Sequence, residues 1–208
     1  MQDVIVEPPG IGEVFDPRAL FPEGRAVELE IGCGKGGFLL RQARECADRG
    51  FVGIEWANKF FKFAADRMAR WGLTNVRIMR TDARHLFVHQ MADNCLAALH
   101  VYHPDPWPKK RHHKRRLFTP EFVERAVAIL QPGARWAIQT DHAEYFDWIR
   151  QRVDPRPELA EIPYDDPGFG IIDEEAGTNY ETKYLRQGRP IFRVAYRRME
   201  NSELRMEK

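Results

Sequence analysis

Between Val27 and Gln139 the chain alternates short apolar-rich runs with longer stretches whose apolar residues return at helical spacing. Val27 to Ile31, Phe51 to Ile54, Val76 to Met79, Cys95 to Tyr102 and Arg135 to Gln139 predict strands. Gly37 to Arg49, Asn58 to Trp71, Arg84 to Ala92 and Pro120 to Leu130 predict the helices between them. Strand and helix in strict alternation predict an α/β fold, a parallel sheet covered by helices on both faces. Ahead of this pattern, Pro8-Pro9-Gly10, Asp16-Pro17 and Pro22-Glu23-Gly24 punctuate an irregular lead over residues 1–25. Behind it, Thr178 to Arg186 predicts a helix closed by Gly188-Arg189-Pro190, and Ile191 to Tyr196 a further strand. A single domain over 26–200 with a polar tail over 201–208 suits a chain of 208 residues, 43% hydrophobic, which can bury one substantial core.

Composition narrows the setting. Cys33, Cys46 and Cys95 are widely spaced, with no CxxC pair and no even-numbered framework, which favours a reducing cytoplasm. The N-terminus lacks the basic-then-apolar layout of a secretion signal, and no apolar stretch approaches a membrane span. The net charge of +1 conceals an asymmetry. Residues 109 to 116 read Lys-Lys-Arg-His-His-Lys-Arg-Arg, with six of the 32 basic residues and none of the 31 acidic ones; the remainder is left at −5. A mildly acidic body with one basic segment predicts local contact with a polyanion.

The first strand runs into Gly32-Cys33-Gly34-Lys35-Gly36-Gly37 and then a helix. Glycines allow a tight turn and close backbone approach to a ligand, and the helix start offers free N–H donors. The spacing is G-x-G-x-G, not the G-x-G-x-x-G of dinucleotide folds. Three carboxylates narrow the ligand: Glu30 at the end of the first strand, Glu55 after the second and Asp82 after the third. Each could be a helix cap or a solvated residue. Together they lie where open parallel sheets bind ligands, with Glu55 placed to accept from both ribose hydroxyls. Glu30 would then hold a methionine part and Asp82 an adenine amino group, so a sulfonium nucleoside fits better than NAD.

On the substrate side, the fourth strand ends in His103-Pro104-Asp105-Pro106-Trp107-Pro108-Lys109-Lys110. Alternate prolines remove N–H donors and stiffen the turn, leaving carbonyls, the Asp105 carboxylate and the Trp107 ring to face a ligand. Such an edge suits a base with N–H donors and a π-surface. Arg111, His112, His113, Lys114, Arg115 and Arg116 follow at once and are expected to contact an RNA backbone. Asp141, after the fifth strand, either caps a helix or lines the cleft, and Thr178-Asn179-Tyr180-Glu181 matches a capping box. The seven histidines form no set at metal-ligand spacing, so no metal is predicted.

With these residues in view, the chain resembles the bacterial tRNA (guanine-N7)-methyltransferases from about Val27 to Arg197, most specifically over Pro104-Asp105-Pro106-Trp107-Pro108-Lys109-Lys110-Arg111-His112-His113-Lys114-Arg115-Arg116. The resemblance implies a Rossmann-like class I methyltransferase whose seven-stranded sheet has an antiparallel last strand. It implies methyl transfer from S-adenosylmethionine, by in-line displacement, to N7 of the guanine at position 46 in the tRNA variable loop. By the same resemblance Glu30, Gly32, Gly34, Glu55, Asp82 and Asp105 contact the cofactor, and Asp105 is catalytic. Lys109, Asp141, Thr178, Asn179, Tyr180 and Glu181 match substrate-binding positions, and Arg111 to Arg116 the RNA-contacting segment. Two departures stand out: His103 replaces an expected phenylalanine, and the N-terminal lead is shorter and less basic than in many members.

Guanine N7 carries a free lone pair and no proton, so positioning should dominate the reaction; alignment can supply roughly 7 to 11 kcal/mol in favourable cases. Asp105 is then an orienting carboxylate that stabilises the charge passing to the purine, not an obligatory base. Two other functions fit parts of the pattern: an S-adenosylmethionine enzyme acting on another RNA base, and a non-catalytic RNA-binding protein of the same fold. The sequence does not choose between a monomer and a homodimer.

Overall fold

The computed structural model describes residues 4–166, 188–200 and 203. Eight strands form one sheet: β1 (Ile5–Val6), β2 (Val27–Ile31), β3 (Gly50–Ile54), β4 (Val76–Met79), β5 (Leu96–Tyr102), β6 (Leu130–Thr140), β7 (Leu159–Ile162) and β8 (Phe192–Arg198). Between them lie α1 (Gly37–Glu45), α2 (Asn58–Arg70), α3 (Ala83–His89), α4 (Pro120–Ile129) and α5 (Ala143–Val153). The spatial order is β1-β4-β3-β2-β5-β6-β8-β7. Strands β1 to β6 run parallel, and among the described strands β8 alone runs against its neighbours β6 and β7. The expected α/β class and antiparallel last strand are both present.

From β2 the chain winds outward through β3 to β4, then crosses back to place β5 on the other side of β2. The carboxyl ends of β2 and β5 therefore flank the point where the winding reverses, the crevice at which such sheets bind ligands. Every residue of β2 and β3 is buried, as expected of strands covered on both faces. One core layer packs α1 and α2 against the sheet through Phe38, Leu39, Ala64 and Met68. The other gathers Phe87, Phe118, Phe122, Trp136 and Tyr145 beneath α3, α4 and α5, with Phe118 and Trp136 stacked at 5.8 Å.

The fully buried His100 ties the sheet together through polar contacts. Its Nε2 lies 2.9 Å from Glu28 and its Nδ1 2.9 Å from the Tyr102 hydroxyl, while Arg49 donates to the other Glu28 oxygen at 2.5 Å. Burial opposes the Glu28 charge, but His100 and Arg49 outweigh it and hold the carboxyl below its usual range.

Several boundaries differ from the pattern-based expectation. The lead is not wholly irregular: β1 pairs with β4, Phe15 bridges Met91, and Asp16 caps a 3-10 turn over Pro17–Leu20. Val4 and Phe21 enter the core. A two-residue strand just ahead of Pro8-Pro9 carries no periodicity to read. Helix α1 stops at Glu45, four residues early, and α3 spans Ala83–His89 instead of Arg84 to Ala92. Strand β6 starts at Leu130, its pairing with β5 interrupted by a register shift between Leu96 and Ala98. The half-buried edge strand β7 was not foreseen, and the expected helix from Thr178 to Arg186 lies outside the described residues.

Candidate cofactor and substrate site

Three glycines after β2, Gly32 (φ 74°), Gly34 (φ 54°) and Gly36 (φ 68°), hold left-handed backbone that residues with a Cβ adopt at a cost. A Cβ at Gly36 would also stand 2.6 Å from Met68 Cε. The loop is laced to β3: the amides of Gly32 and Cys33 both donate to the Ile54 carbonyl, at 2.8 and 3.1 Å. Glu55 completes the lacing, accepting from Gly34 N on Oε2 and from Ala57 N on Oε1, each at 2.8 Å. Each oxygen keeps a second lone pair for an incoming hydroxyl. Glu55 thus shapes the loop and retains acceptor capacity.

Glu30 has no such support. It is 3% exposed, and its Oε2 is buried with no hydrogen-bond partner among the described residues. Burial, with Glu55 adding repulsion, pushes its pKa up to about 8. A buried carboxyl with an unpartnered oxygen beside a left-handed glycine loop fits a ligand bearing an ammonium, as the methionine part of S-adenosylmethionine does. Asp82 is the N-cap of α3, its Oδ1 accepting from the amides of Arg84 and His85 at 2.9 and 3.2 Å. Asp82 and Glu55 follow β4 and β3, and Glu30 is the penultimate residue of β2; the three strands are neighbours in that order.

The row continues across β5 and β6. The exposed Asp105 sits in a turn bounded by two non-glycine residues in left-handed backbone, His103 (φ 50°) and Trp107 (φ 43°). His103 N donates to the Gln139 carbonyl at 2.7 Å, and its Nε2 lies 2.9 Å from Gln139 Nε2. Gln139 Oε1 already accepts from Arg193 Nε and the Tyr164 hydroxyl, so its amide nitrogen must donate to the imidazole. His103 therefore carries its proton on Nδ1, 3.8 Å from Asp141 Oδ1. Burial lowers its pKa to about 4 despite the opposing pull of Asp141, so the ring is neutral near pH 7.

Asp141 does not cap α5. The cap is His142, whose Nδ1 accepts from Tyr145 N at 3.3 Å, and Asp141 is left facing His103 and Arg189. Among the described residues no three His, Cys, Asp or Glu side chains converge as a metal site, and no helix is long and apolar enough to cross a membrane.

Comparison with known proteins decides the family. The family described as "Putative methyltransferase" matches residues 24–194. A tRNA (guanine-N(7)-)-methyltransferase of Alkalilimnicola ehrlichii is 34% identical over 196 residues, 94% of this chain and 82% of that protein. One from Caulobacter vibrioides is 37% identical over 188 residues, covering 86% and 78%. The chain belongs to the tRNA (guanine-N7)-methyltransferase family. The aminoglycoside resistance methyltransferase NpmB1 shares the fold alone, at TM-score 0.56 and 17% identity over 84% of this chain and 88% of that one.

Against the family's pattern, the structure brings Glu30, Gly32, Gly34, Glu55, Asp82, Asp105 and Asp141 to one edge of the sheet. Lys109 caps a 3-10 helix over Lys110–Arg115, which presents Lys109, Lys110, Arg111, Lys114 and Arg115 to solvent. His112 and His113 are half-buried, edge-on to Trp107 and Trp148 at 5.8 and 5.2 Å. Arg116 corrects the sequence reading: it is fully buried, and its guanidinium forks onto Glu144 instead of facing a phosphate. A run of like charges does not reveal that its last member turns inward. Thr178, Asn179, Tyr180 and Glu181 lie outside the described residues. Gln139, Glu144 and Arg193 were missed, since isolated polar residues on a strand or helix carry no motif.

Proposed function

We propose that this methyltransferase transfers the methyl group of S-adenosylmethionine to N7 of guanine in tRNA, at position 46 of the variable loop. The observation that carries the reading is the adjacency, across the reversal between β2 and β5, of the Glu30 carboxyl and its glycine loop with the Asp105 turn and its basic 3-10 helix. Glu30 pairs with the ammonium of the donor, Glu55 accepts from the ribose and Asp82 from the adenine amino group. S-adenosylmethionine, when bound, supplies an electrophilic methyl group.

The protein's share is placement and electrostatics. Guanine N7 needs no base to activate it, so Asp105 orients the purine through its N–H edge and offsets the positive charge it gains. Lys109 and Asp141, with Thr178, Asn179, Tyr180 and Glu181, are the positions that bind the substrate. Lys110, Arg111, Lys114 and Arg115 hold phosphates, with His112 and His113 setting the helix against Trp107 and Trp148. Cys33, Cys46 and Cys95 are not joined in disulfides, which suits a cytoplasmic enzyme.

The test is to incubate unmodified tRNA with labelled S-adenosylmethionine and map the methylated nucleotide. Label on N7 of the variable-loop guanine supports the proposal; label on an exocyclic nitrogen or another loop overturns it. Asp105→Asn with near wild-type turnover would remove Asp105 from its role.

A further inference from the structure

The turn that carries Asp105 is strained at both ends, and only one end is explained by the strand it leaves. His103 is pinned by Gln139, through its backbone amide and its ring. At the other end Trp107 holds φ 43°, and the prolines at 104, 106 and 108 leave the turn few amides with which to secure itself. Left-handed backbone at a bulky residue persists only where its surroundings over-determine it.

The Trp107 ring meets His112 and Arg115 of the 3-10 helix, and the backbone of the turn is held by Arg116 and, through it, by α5. Arg116 Nε donates to the Pro106 carbonyl at 2.8 Å, in the middle of the turn. Its two terminal nitrogens fork onto Glu144, at 3.0 and 2.6 Å. The guanidinium lies 4.9 Å from the Tyr145 ring centre and 4.5 Å from that of Trp148, and Arg152 lies 3.4 Å from that of Trp148. Glu144, Tyr145 and Trp148 all belong to α5, whose N-terminus follows Asp141. A planar fork matches a carboxylate with two parallel bonds while its third nitrogen reaches the carbonyl; an ammonium cannot do this.

We infer that Arg116 and Glu144 are positioning residues for methyl transfer: a clamp of a buried guanidinium and a surface carboxylate that fixes the Asp105 turn to α5 and so sets Asp105 against Asp141. The inference rests on the proposed function for its catalytic consequence, but the clamp itself has a reading independent of activity. Asp105 and Trp107 carry the only backbone N–H groups between Pro104 and Pro108, and their exchange with deuterium reports how firmly the turn is held.

The experiment compares the full-length wild type with Arg116→Lys and Glu144→Gln, each first shown to be folded by thermal melting. Arg116→Lys is expected to speed exchange at Asp105 and Trp107. It should lower kcat on tRNA by roughly ten- to a hundredfold, the scale of a small misplacement of reacting groups. The Kd for S-adenosylmethionine and the salt dependence of tRNA binding should stay as in the wild type. Glu144→Gln, which keeps one acceptor for the fork, should show the same pattern in weaker form and serves if the lysine variant melts below the assay temperature. Wild-type kcat with wild-type exchange in a folded variant overturns the inference. So does a salt slope reduced by about one with exchange unchanged, which would make Arg116 a phosphate contact. A wild type that binds the cofactor yet methylates no tRNA guanine defeats the proposed function instead, and the exchange rates still decide whether the clamp holds the turn.

Discussion

Glu30 shows how one side chain links stability to ligand binding. Its ordinary value is 4.5 and its folded value about 8. Between those limits the unfolded chain has released the proton while the ligand-free fold retains it, so stability falls as pH rises through that window. Glu30→Gln should flatten this fall in thermal melts from pH 5 to 8, and should weaken binding of S-adenosylmethionine. In the wild type, pairing with the ligand's ammonium requires the carboxylate. Calorimetry at pH 7 in buffers of different ionisation enthalpy should therefore record release of about one proton, and affinity should rise with pH until about 8. His103 works in the opposite sense. Its folded value of about 4 lies below the ordinary 6.5, so as pH falls from 6.5 toward 4 the unfolded chain gains a proton that the fold refuses, and stability is lost. His103→Phe, the residue the family resemblance leads one to expect, should reduce the loss of stability over that interval in urea titrations, and its pH–rate profile near neutrality should match the wild type.

At the scale of elements, the glycine loop is where backbone conformation and packing coincide. Gly36 caps the start of α1 with a φ of 68°, and α2 passes so close that a Cβ would meet Met68 at 2.6 Å and Ala64 at 3.3 Å. Gly36→Ala should cost about 1 to 3 kcal/mol, the sum of left-handed strain and modest overpacking, read as a lower midpoint in urea with an unchanged slope. The same variant should raise KM for the cofactor, because Gly34 of that loop is held by Glu55. The start of α2 shares this fate, since Glu55 accepts from Ala57 as well. One carboxylate thus couples the loop, the strand end and the next helix into a single unit.

Over the whole molecule, charge is divided in the way a local polyanion site needs. Lys109, Lys110, Arg111, Lys114 and Arg115 stand exposed on one 3-10 helix and its cap, beside the row of carboxylates and outside it. The body repels phosphate weakly while the helix attracts it, which favours docking in one orientation. Lys110→Ala with Lys114→Ala should weaken tRNA binding and reduce the slope of log affinity against log salt by about two, leaving cofactor affinity unchanged. Filter binding across a salt series measures both.

The strand and helix pattern, the glycine loop, the three carboxylates after successive strands and the Pro104-to-Arg116 segment were legible in the sequence, because each depends on local chain chemistry: periodicity, turn formers and charge close together. That the chain belongs to a methyltransferase family followed from the same residues. What the sequence could not supply were properties that arise when distant segments meet. Strand β1 became visible only beside β4, which satisfies its backbone. Between the cap and cleft readings that the sequence left open, Asp82 is a cap through the two amides it faces, and Asp141 lost that role to its neighbour His142. Glu30 is an ordinary acid until the sheet closes around it and withholds both water and a partner. Arg116 is the sharpest case: in sequence it ends a basic run, and only the packing of α5 against the Asp105 turn turns it inward, where Glu144 and two aromatic rings hold a charge that an exposed arginine would have left to solvent.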